Sequence, residues 1–480
     1  MKLSVIITQL ALATSHATAQ VMSTPEIPLT QARSASHPHR RQQTNNSSGS
    51  SGWPFAPFST RGRDIVDSRG EALTLAGVNW PMSGETMIPE GLEFQSAEEI
   101  LDRIASVGFN VIRFGYATQM VDEIYERDGE DVPLQVALAS LGHANGSRIT
   151  HEILKHNPGW TTQTTRFELW GDILDAAAER GIYAIPDVHV HKAQWCCSHI
   201  DGNAWFGDVH FDVENWKRGL SYVAGWAKAH PNVLGLSLRN ELRESWNRTD
   251  LYYNWQTLVG NMTAGADAIH AANPDLLITW SGMQYDQDLS ALTAGRNLLS
   301  APCYRCTAIR DAGRRQPQVF DLDAHPWSDK LVWELHMYHM SEDQDTGDCD
   351  VIEANLYRNG FNALGIDAPA ACANETIGLD CEKAVRLTPV IFSEFGYEQN
   401  VTTLPNDVLQ KCLRGFNTKH KVSWMTWSIA GSYRSRQGRQ GFEDTWGLTN
   451  YDFSGWRDEE LVERWWKPYV VDMKPTRKGE

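Results

Sequence analysis

The chain has 480 residues, of which 41% are hydrophobic, so it can bury a large core and form one or two domains. Its formal net charge of −17 argues against nucleic acid or an anionic membrane as a partner. Beyond the first residues, no stretch is long and apolar enough to span a bilayer.

The N-terminal end has the features of an export signal. Lys2 supplies a positive start, an apolar run follows, and Ala17-Thr18-Ala19 has the small-x-small pattern of a cleavage site. Residues 20–52 are rich in Ser, Thr, Gln, Asn and Pro, a composition that predicts a disordered propeptide or linker. We therefore expect a secreted, extracellular protein with a signal peptide at 1–19 and one folded domain at 53–475.

Sequons and cysteines agree with export. Seven N-x-Ser/Thr sequons start at Asn45, Asn46, Asn145, Asn247, Asn261, Asn374 and Asn400. Eight cysteines follow the signal, and an even count in an exported chain predicts disulfides whose pairing spacing alone leaves open. For Cys303-x-x-Cys306 a local disulfide is the better interpretation, because no second zinc half-site stands at suitable spacing.

From residue 53 onward, short apolar runs alternate with amphipathic stretches. Strands are predicted at 74–80, 110–116, 182–190, 233–240, 276–282, 331–339, 389–397 and 422–429, and helices at 97–107, 165–180, 214–230, 251–272 and 406–417. Eight strands alternating with helices predict an α/β fold, a (β/α)₈ TIM barrel. The segments 117–163, 283–330 and 340–388 are predicted to be long loops on the active face.

Two of the predicted strands end in a carboxylate. The fourth strand ends in Asn240-Glu241 and the seventh in Ser393-Glu394, 153 residues later. In a barrel of parallel strands the C-terminal ends share one face, and active sites are built there. Two carboxylates facing one cleft are the minimum apparatus for cleaving a glycosidic bond.

Other strand ends and one loop add polar and aromatic groups to the same face. The strand ends supply Asn79, Trp80, Arg113, His189, His336, Tyr338 and Trp427, and the loop WCCSHIDGNAW supplies Trp195 and Trp205. An aromatic face packs well on the C–H face of a sugar ring. The alternative for these two loop tryptophans is packing within the loop core.

A metal site is the competing interpretation of one cluster. His189-x-His191 stands shortly before Cys196, Cys197 and His199, a spacing typical of metal ligands. Adjacent cysteines in an exported chain are more often oxidised to a disulfide than bound to a metal. We therefore expect no metal and no other cofactor.

In this order, the motifs resemble those of glycoside hydrolase family 5, the cellulase family of retaining (β/α)₈ glycosidases, in a fungal-type secreted member. The resemblance covers roughly residues 60–470 and rests on NVIRF, PDVHV, Asn240-Glu241, WELHMYH, SEFG and Trp427. One departure is Leu242, where the family usually has Pro after the acid/base glutamate.

The resemblance implies that Glu241 is the acid/base, with a raised pKa, and that Glu394 is the nucleophile. It further implies that Asn240 binds the sugar 2-hydroxyl, that Tyr338 and Arg113 hold Glu394, and that Trp427 forms the floor of a subsite. His189 and His336 would bind hydroxyls or support the carboxylates.

The function that follows is hydrolysis of β-glycosidic bonds in a polysaccharide with retention, and endo-β-1,4-glucanase is the first choice. A β-mannanase and an exo-β-1,3- or β-1,6-glucanase remain open, as does a catalytically silent carbohydrate-binding barrel. The expected partner is a polysaccharide, with β-glucan favoured, and the expected state is a monomer.

Overall fold

A closed ring of parallel strands forms the centre of the molecule. The computed structural model describes residues 52–82, 84–339, 346–374 and 380–474. The expected signal peptide and nearly all of the expected linker lie outside the described residues, together with the sequons at Asn45 and Asn46. The eight barrel strands pair in chain order and close on themselves, so the predicted (β/α)₈ TIM barrel is confirmed.

Thirteen strands are described, and eight of them form the barrel. Ahead of it are β1 (Ser59–Arg61), β2 (Asp64–Val66) and β3 (Ala72–Leu73). The barrel strands are β4 (Ala76–Asn79), β5 (Val111–Ala117), β6 (Tyr183–Val190), β7 (Gly235–Ser237), β8 (Leu277–Ser281), β9 (Leu331–Met337), β10 (Val390–Phe395) and β11 (Trp424–Thr426). A hairpin of β12 (Ser432–Arg436) and β13 (Arg439–Glu443) follows the barrel.

The main helices surround the barrel. They are α1 (Ala97–Val107), α2 (Gln119–Glu126), α3 (Leu134–Leu138), α4 (His143–His156), α5 (Arg166–Glu179), α6 (Val213–Trp226) and α7 (Trp255–Ala272), followed by Cys349–Asn359, Val408–His420 and Lys467–Met473. Local sequence explains the ends of α1: Ser96 and Glu99 form a capping box, and Gly108 accepts the left-handed backbone (φ 91°) that stops the helix.

The segment 117–163, predicted to be a loop, is largely helical and contains α2, α3 and α4. In α2 the apolar side chains of Met120, Val121 and Ile124 share one buried face. The helix spans only eight residues, so its periodicity is too brief to stand out beside the turn residues of the same segment.

An apolar layer closes the N-terminal end of the barrel. Val111, Ile185 and Leu277, near the starts of their strands, pack in one buried cluster with Phe58 from the segment before β1. Phe58 also meets the ring of Tyr183 edge-on at 5.5 Å. The N-terminal sheet therefore plugs the end of the barrel opposite the strand tips.

Above this apolar layer the barrel interior becomes polar and charged. Arg113, Asp187, Ser237 and Glu334 are each at most 1% exposed and come from four different strands. Arg113 pairs with Asp187 at 3.1 Å, and Ser237 donates a hydrogen bond to Glu334. This layer places fixed charge directly beneath the C-terminal face.

Four disulfides join the eight cysteines: Cys196–Cys197, Cys303–Cys306, Cys349–Cys412 and Cys372–Cys381. The prediction of disulfides, including the local Cys303–Cys306 pair, is confirmed. None of the helices in the described part of the chain combines the length and apolarity that a membrane span needs.

Candidate active site

The two carboxylates predicted from the strand ends meet at the C-terminal face of the barrel. Glu394 lies in β10, and Glu241 follows β7 by a few residues. One oxygen of each carboxylate and a ring nitrogen of His336 all lie within 4.8 Å of one another. Retaining glycosidases hold their carboxyl groups about 5–5.5 Å apart, whereas inverting enzymes need about 6.5–9.5 Å. The spacing is that of a retaining pair.

Glu394 is held on both oxygens by donors. Arg113 Nη1 donates to Oε1 at 2.6 Å, and the Tyr338 hydroxyl donates to Oε2 at 2.9 Å. Burial and the Glu394 charge hold the pKa of Tyr338 well above its ordinary value, so the phenol keeps its proton. Both partners expected for Glu394 are therefore in contact with it, and they fix the orientation of its carboxylate.

Arg113 connects the residues beneath the cleft. Its guanidinium also donates to Asn79 Oδ1 at 3.1 Å and to Asn240 Oδ1 at 2.9 Å. Burial opposes its charge, but the Asp187 and Glu394 carboxylates raise its pKa above the ordinary value. Burial in turn would raise the pKa of Asp187, yet Arg113 and His189 lower it, so both groups stay ionised.

Glu241 has a backbone conformation that is rare for a residue with a side chain. Its φ is 47°, in the left-handed region, which costs energy and must be held by the surroundings. Its N–H donates to Asp286 Oδ2 at 2.7 Å, and its carbonyl accepts from Arg243 Nη1 at 2.7 Å. These contacts turn the side chain into the cleft, where it is 16% exposed. The next residue, Leu242, is fully buried.

The raised pKa expected for Glu241 is wrong. Burial raises the pKa of this carboxyl, but the hydrogen bond and the charge of His336 outweigh it and bring it below the ordinary value. His336 Nδ1 lies 3.1 Å from Glu241 Oε1. The proton of the Glu241–His336 pair is therefore held mainly on the imidazole.

His336 is the positive centre among the carboxyl groups. Burial lowers its pKa, but Glu394, Glu241 and Asp286 together raise it to about 9. Its Nε2 lies 3.7 Å from Asp286 Oδ2, and both residues are fully buried. Burial holds the pKa of Asp286 well above its ordinary value. Of the two roles expected for His336, support of a carboxylate is the one its contacts show.

A pocket opens beside the carboxylates. Asn79, Arg113, His189, Trp195, Cys196 and Trp427 are among its lining residues. The His189 ring stacks on Trp427 with centroids 5.6 Å apart, and His189 Nδ1 lies 2.8 Å from Asp187 Oδ2. Trp195 and Trp427 are half-buried and present ring surface to this space. The sequence analysis placed all six of these residues at the C-terminal face of the barrel and named five of them as site residues.

Two other predicted sugar contacts are wrong. Trp80 is fully buried, stacks on Phe114 and donates its indole N–H to Glu90 O at 2.9 Å. Trp205 is 1% exposed and donates to Tyr252 O at 3.1 Å. Each side chain turns into the core with its one polar atom satisfied, so neither ring can meet a substrate.

Loops from three strand ends pack together along the wall of the pocket. A Cβ at Gly84 would lie 2.4 Å from the backbone carbon of Gln194, so only glycine allows this approach. The Trp195 ring contacts Tyr433 at 5.2 Å, and the Arg436 guanidinium lies 4.2 Å above it. The hairpin after β11 and the loops after β4 and β6 therefore support one another.

Asp286 is the site residue that sequence reasoning missed. It lies in the turn after β8, behind Gln284 and Tyr285, and all three have φ of 55–60°. A search for polar residues at strand ends would have found Asp286 if it had been extended five residues past the end of β8, the fifth barrel strand. Asp187, in the PDVHV segment of β6, pairs with Arg113 beneath the cleft and has a structural role there.

Comparison with known proteins identifies relatives of the whole barrel. Residues 66–432 match the family model described as cellulase (glycosyl hydrolase family 5). A glycosyl hydrolase 5 family protein of Chamaecyparis obtusa is 29% identical over 85% of this chain, which spans 65% of that relative's length. An endoglucanase of Paenibacillus polymyxa is 23% identical over 86% of this chain and 88% of its own.

Solved structures share the fold. A hyperthermophilic endocellulase of Pyrococcus horikoshii superposes with a TM-score of 0.57 at 18% identity, over 88% of this chain and 99% of its own. The catalytic domain of the major endoglucanase of Xanthomonas campestris gives 0.55 at 17% identity, over 87% and 99%. At such identities the likeness extends to the fold alone.

Proposed function

Since the chain belongs to glycoside hydrolase family 5, the cellulase family, we propose that it is a retaining endo-β-1,4-glucanase. In this proposal Glu241 is the acid/base and Glu394 is the nucleophile. The observation that supports this proposal best is the approach of the two carboxylates to within 4.8 Å. That distance leaves no room for a water molecule behind the sugar, so direct attack by a carboxylate is the chemistry it favours.

In the first step, Glu394 attacks the anomeric carbon of the sugar bound in the pocket. Arg113 and Tyr338 hold this carboxylate in one orientation, which spares the reaction the cost of arranging it. The proton of the Glu241–His336 pair passes through Glu241 to the leaving oxygen. The C–O bond to the leaving sugar breaks as the bond to Glu394 forms.

The charge change at Glu394 helps the acid. Among the carboxylates that raise the His336 pKa, Glu394 makes the largest contribution. When Glu394 bonds to the sugar, that negative charge disappears and His336 binds its proton less strongly. Transfer of the proton to Glu241, 3.1 Å from His336 Nδ1, then becomes easier at the moment the leaving group needs it.

In the second step, Glu241 acts as a base. It takes a proton from water that enters on the side the leaving sugar has vacated, and the oxygen attacks the anomeric carbon. The bond to Glu394 breaks, and the carboxylate regains its charge beside Arg113 and Tyr338. The product keeps the β configuration because the carbon is inverted twice.

The choice of β-1,4-glucan rests on the relatives. The Paenibacillus polymyxa protein is named an endoglucanase, and the Pyrococcus horikoshii structure is that of an endocellulase. Because the chain spans 65% of the length of the Chamaecyparis obtusa relative, the whole protein's activity and partners are part of the proposal. We further propose that the protein is secreted, which the four disulfides support, and that it is a monomer.

A substrate screen tests the proposal. Purified protein is incubated with cellulose, lichenan, mannan, laminarin and xylan, and the products are sized. Mixed cello-oligomers from cellulose and lichenan are expected. Products from mannan alone would assign a β-mannanase, and single sugars from laminarin an exo-β-1,3-glucanase. Binding without any turnover would favour a silent carbohydrate-binding barrel.

Replacement of Glu394 is expected to stop the reaction without unfolding the protein. Glu394→Ala removes the attacking group, so kcat should fall by about 10⁴-fold or more, a scale typical of lost nucleophiles. Circular dichroism should match the wild type. Near wild-type rates in this variant would remove Glu394 from the nucleophile role.

Replacement of Glu241 should depend on the leaving group. Glu241→Ala is expected to lose most activity on cello-oligosaccharides, whose leaving oxygen needs a proton. A 2,4-dinitrophenyl glycoside needs none, so the variant should form the glycosyl-enzyme from it readily, and added azide should release the sugar as a β-glycosyl azide. Equal losses on both substrates would contradict the acid role of Glu241.

A further inference from the structure

The two carboxylates divide the open end of the barrel into two sectors. Glu241 follows β7, and Glu394 lies in β10. Between these strands, the ring passes on one side through β6, β5, β4 and β11, whose ends line the pocket, and on the other side through β8 and β9. In the proposed mechanism the pocket holds the sugar that Glu394 attacks. The leaving part of the chain therefore extends over the sector of β8 and β9.

A row of rings begins beside the acid/base in this second sector. Tyr285 follows β8, and its N–H donates to Leu242 O at 3.0 Å, one residue after Glu241. The His199 ring meets Tyr285 edge-on, with centroids 5.5 Å apart, and stacks nearly parallel on Trp246 at 4.2 Å. Trp246 is 50% exposed. The row therefore leads from the acid/base to a tryptophan that reaches the surface.

Polar groups stand at the edge of the Trp246 ring. Its indole N–H donates to Glu244 Oε2 at 3.2 Å, and Arg305 Nη1 lies 3.5 Å from the same oxygen. The Arg305 guanidinium is 5.3 Å from the centroid of Trp246 and 5.2 Å from that of Tyr304, which is 63% exposed. The side chains of Glu244 and Arg305 are themselves partly exposed. Two rings, a carboxylate and a guanidinium thus face solvent together.

The backbone holds this cluster in place. The N–H of Trp246 donates to His199 O at 2.9 Å, and His199 Nδ1 donates to Glu244 O at 2.7 Å. The loop that carries the guanidinium is tied to the turn after β8, because Thr307 N donates to Tyr253 O at 2.7 Å and the Tyr253 hydroxyl accepts from the first residues of that turn. The side chains are therefore oriented before any ligand arrives, which lowers the cost of binding.

This set of groups fits a glucose unit. The C–H face of a pyranose packs on an aromatic ring, and its hydroxyl groups both donate and accept hydrogen bonds. The Glu244 carboxylate can only accept and the Arg305 guanidinium can only donate, so together they serve both kinds of hydroxyl contact. Exposed apolar side chains that cluster on a protein surface mark interaction sites. Here the cluster is continuous with the cleft through the row of rings.

We propose that Trp246, Glu244 and Arg305 form a binding site for a glucose unit of the leaving chain, beyond the unit that is bonded to the cleaved oxygen. The inference rests on the proposed function, because it requires that the glycosidic bond is cut between the two carboxylates. Tyr285 stands between the acid/base and this site, so the first leaving unit occupies the space beside Tyr285. The site then favours cuts that leave at least two units on this side.

The test compares two substrates in Trp246→Ala. Cellohexaose is long enough to reach the site, whereas 4-nitrophenyl β-cellobioside has only the nitrophenyl group on the leaving side. We expect kcat/KM to fall about tenfold on cellohexaose, the scale of one lost aromatic contact, and less than about twofold on the cellobioside. Equal losses on both substrates, or no loss on either, would overturn the proposal.

The position of the cut gives a second measurement. Cellohexaose that carries an isotope label at its reducing end shows how many glucose units leave with the label. In the wild type, labelled fragments of two or more units are expected. In Trp246→Ala the distribution should shift toward labelled glucose, because the second leaving unit has lost its contact. An unchanged distribution would contradict the proposal.

Further variants complete the design. Trp246→Phe keeps a ring and should restore most of the rate on cellohexaose, and Arg305→Met should lose rate on cellohexaose alone. The matched control Tyr451→Ala removes an exposed ring that packs on Phe94 and should leave both rates unchanged. Circular dichroism checks the fold of each variant. If Trp246→Ala does not fold, Arg305→Met, at a side chain that is 44% exposed, provides the same comparison of substrates.

Failure of the inference is separable from failure of the proposed function. Wild-type protein that hydrolyses neither substrate would contradict the function itself, and the inference with it. Wild-type turnover of both substrates, together with equal effects of Trp246→Ala on the two, would overturn only the binding site on the leaving side.

Discussion

At the scale of single residues, the site depends on one guanidinium. Arg113 contacts Asn79, Asn240, Asp187 and Glu394, which lie on or just after four other barrel strands. The planar fork of arginine can serve several acceptors at fixed angles, whereas a lysine ammonium is a single flexible point charge. The geometry of both Glu394 and Asn240 therefore follows from the position of this side chain.

The pH profile should report the Glu241–His336 pair. The pair keeps its shared proton until the pH approaches about 9, the value to which the pKa of His336 is raised, so the alkaline limb of kcat/KM is expected near there. In His336→Gln, Glu241 alone must hold the proton, and although burial raises the pKa of this carboxyl, its ordinary value lies far below 9. The limb should then move to lower pH by at least about one unit.

The control for this profile is His325→Gln, whose ring packs on Phe320 and Trp327, away from the carboxylates. Its profile should match the wild type. An unmoved alkaline limb in His336→Gln would show that this histidine does not store the catalytic proton. The raised His336 pKa also contributes to the stability of the fold. This contribution is fully present below pH 6.5 and is lost as the pH rises through about 9.

At the scale of elements, each barrel strand has two ends with different tasks. The starts of the strands pack into the apolar cluster around Phe58, and the ends supply the charged groups of the site. Stability and chemistry are thus separated along each strand, as is general for this barrel. A change at one end is expected to leave the other end unaffected.

Phe58→Ala tests this separation. Phe58 is 1% exposed, and removal of its ring leaves a cavity at the closed end of the barrel. We expect the free energy of unfolding, measured in urea, to fall by about 3–5 kcal/mol, while kcat and KM stay at wild-type values. Val385→Ala, at a position that is 65% exposed, is the matched control and should change neither quantity. A large kinetic defect in Phe58→Ala would contradict the separation.

At the scale of the whole molecule, disulfides join distant parts of the chain. Cys349–Cys412 closes a segment of 63 residues and links the helix Cys349–Asn359 to the helix Val408–His420. Cys303–Cys306 closes three residues. In the chain-entropy account, the long closure restricts the unfolded chain far more than the short one.

The two disulfides should therefore differ in their contribution to stability. C349A/C412A is expected to lower the free energy of unfolding by about 4 kcal/mol, and C303A/C306A by about 2 kcal/mol. Urea unfolding of the two variants beside the wild type makes the measurement. Equal losses would show that strain or local packing, rather than chain entropy, sets the value of these bonds.

The sequence predicted those features that repeat along the chain or stand at fixed places in it. The eight strands, and the placing of Glu241 and Glu394 at two of their ends, follow from apolar runs that stop in charge. Trp80 and Trp205 were misplaced because a strand-end or loop position does not say which way a ring turns. The lowered pKa of Glu241 depends on His336, 95 residues away, and only the fold brings the two together.

The chain enters the barrel at the end remote from the cleft. Trp53 packs on Tyr183 at 5.1 Å, and Tyr183 begins its strand at the plugged floor. A bead, a fusion partner or a cell-surface tether joined ahead of residue 52 would meet the folded domain on its underside. The open side of the active-site cleft would then face away from the support. A long glycan could therefore approach the immobilised enzyme without hindrance from the point at which the enzyme is attached.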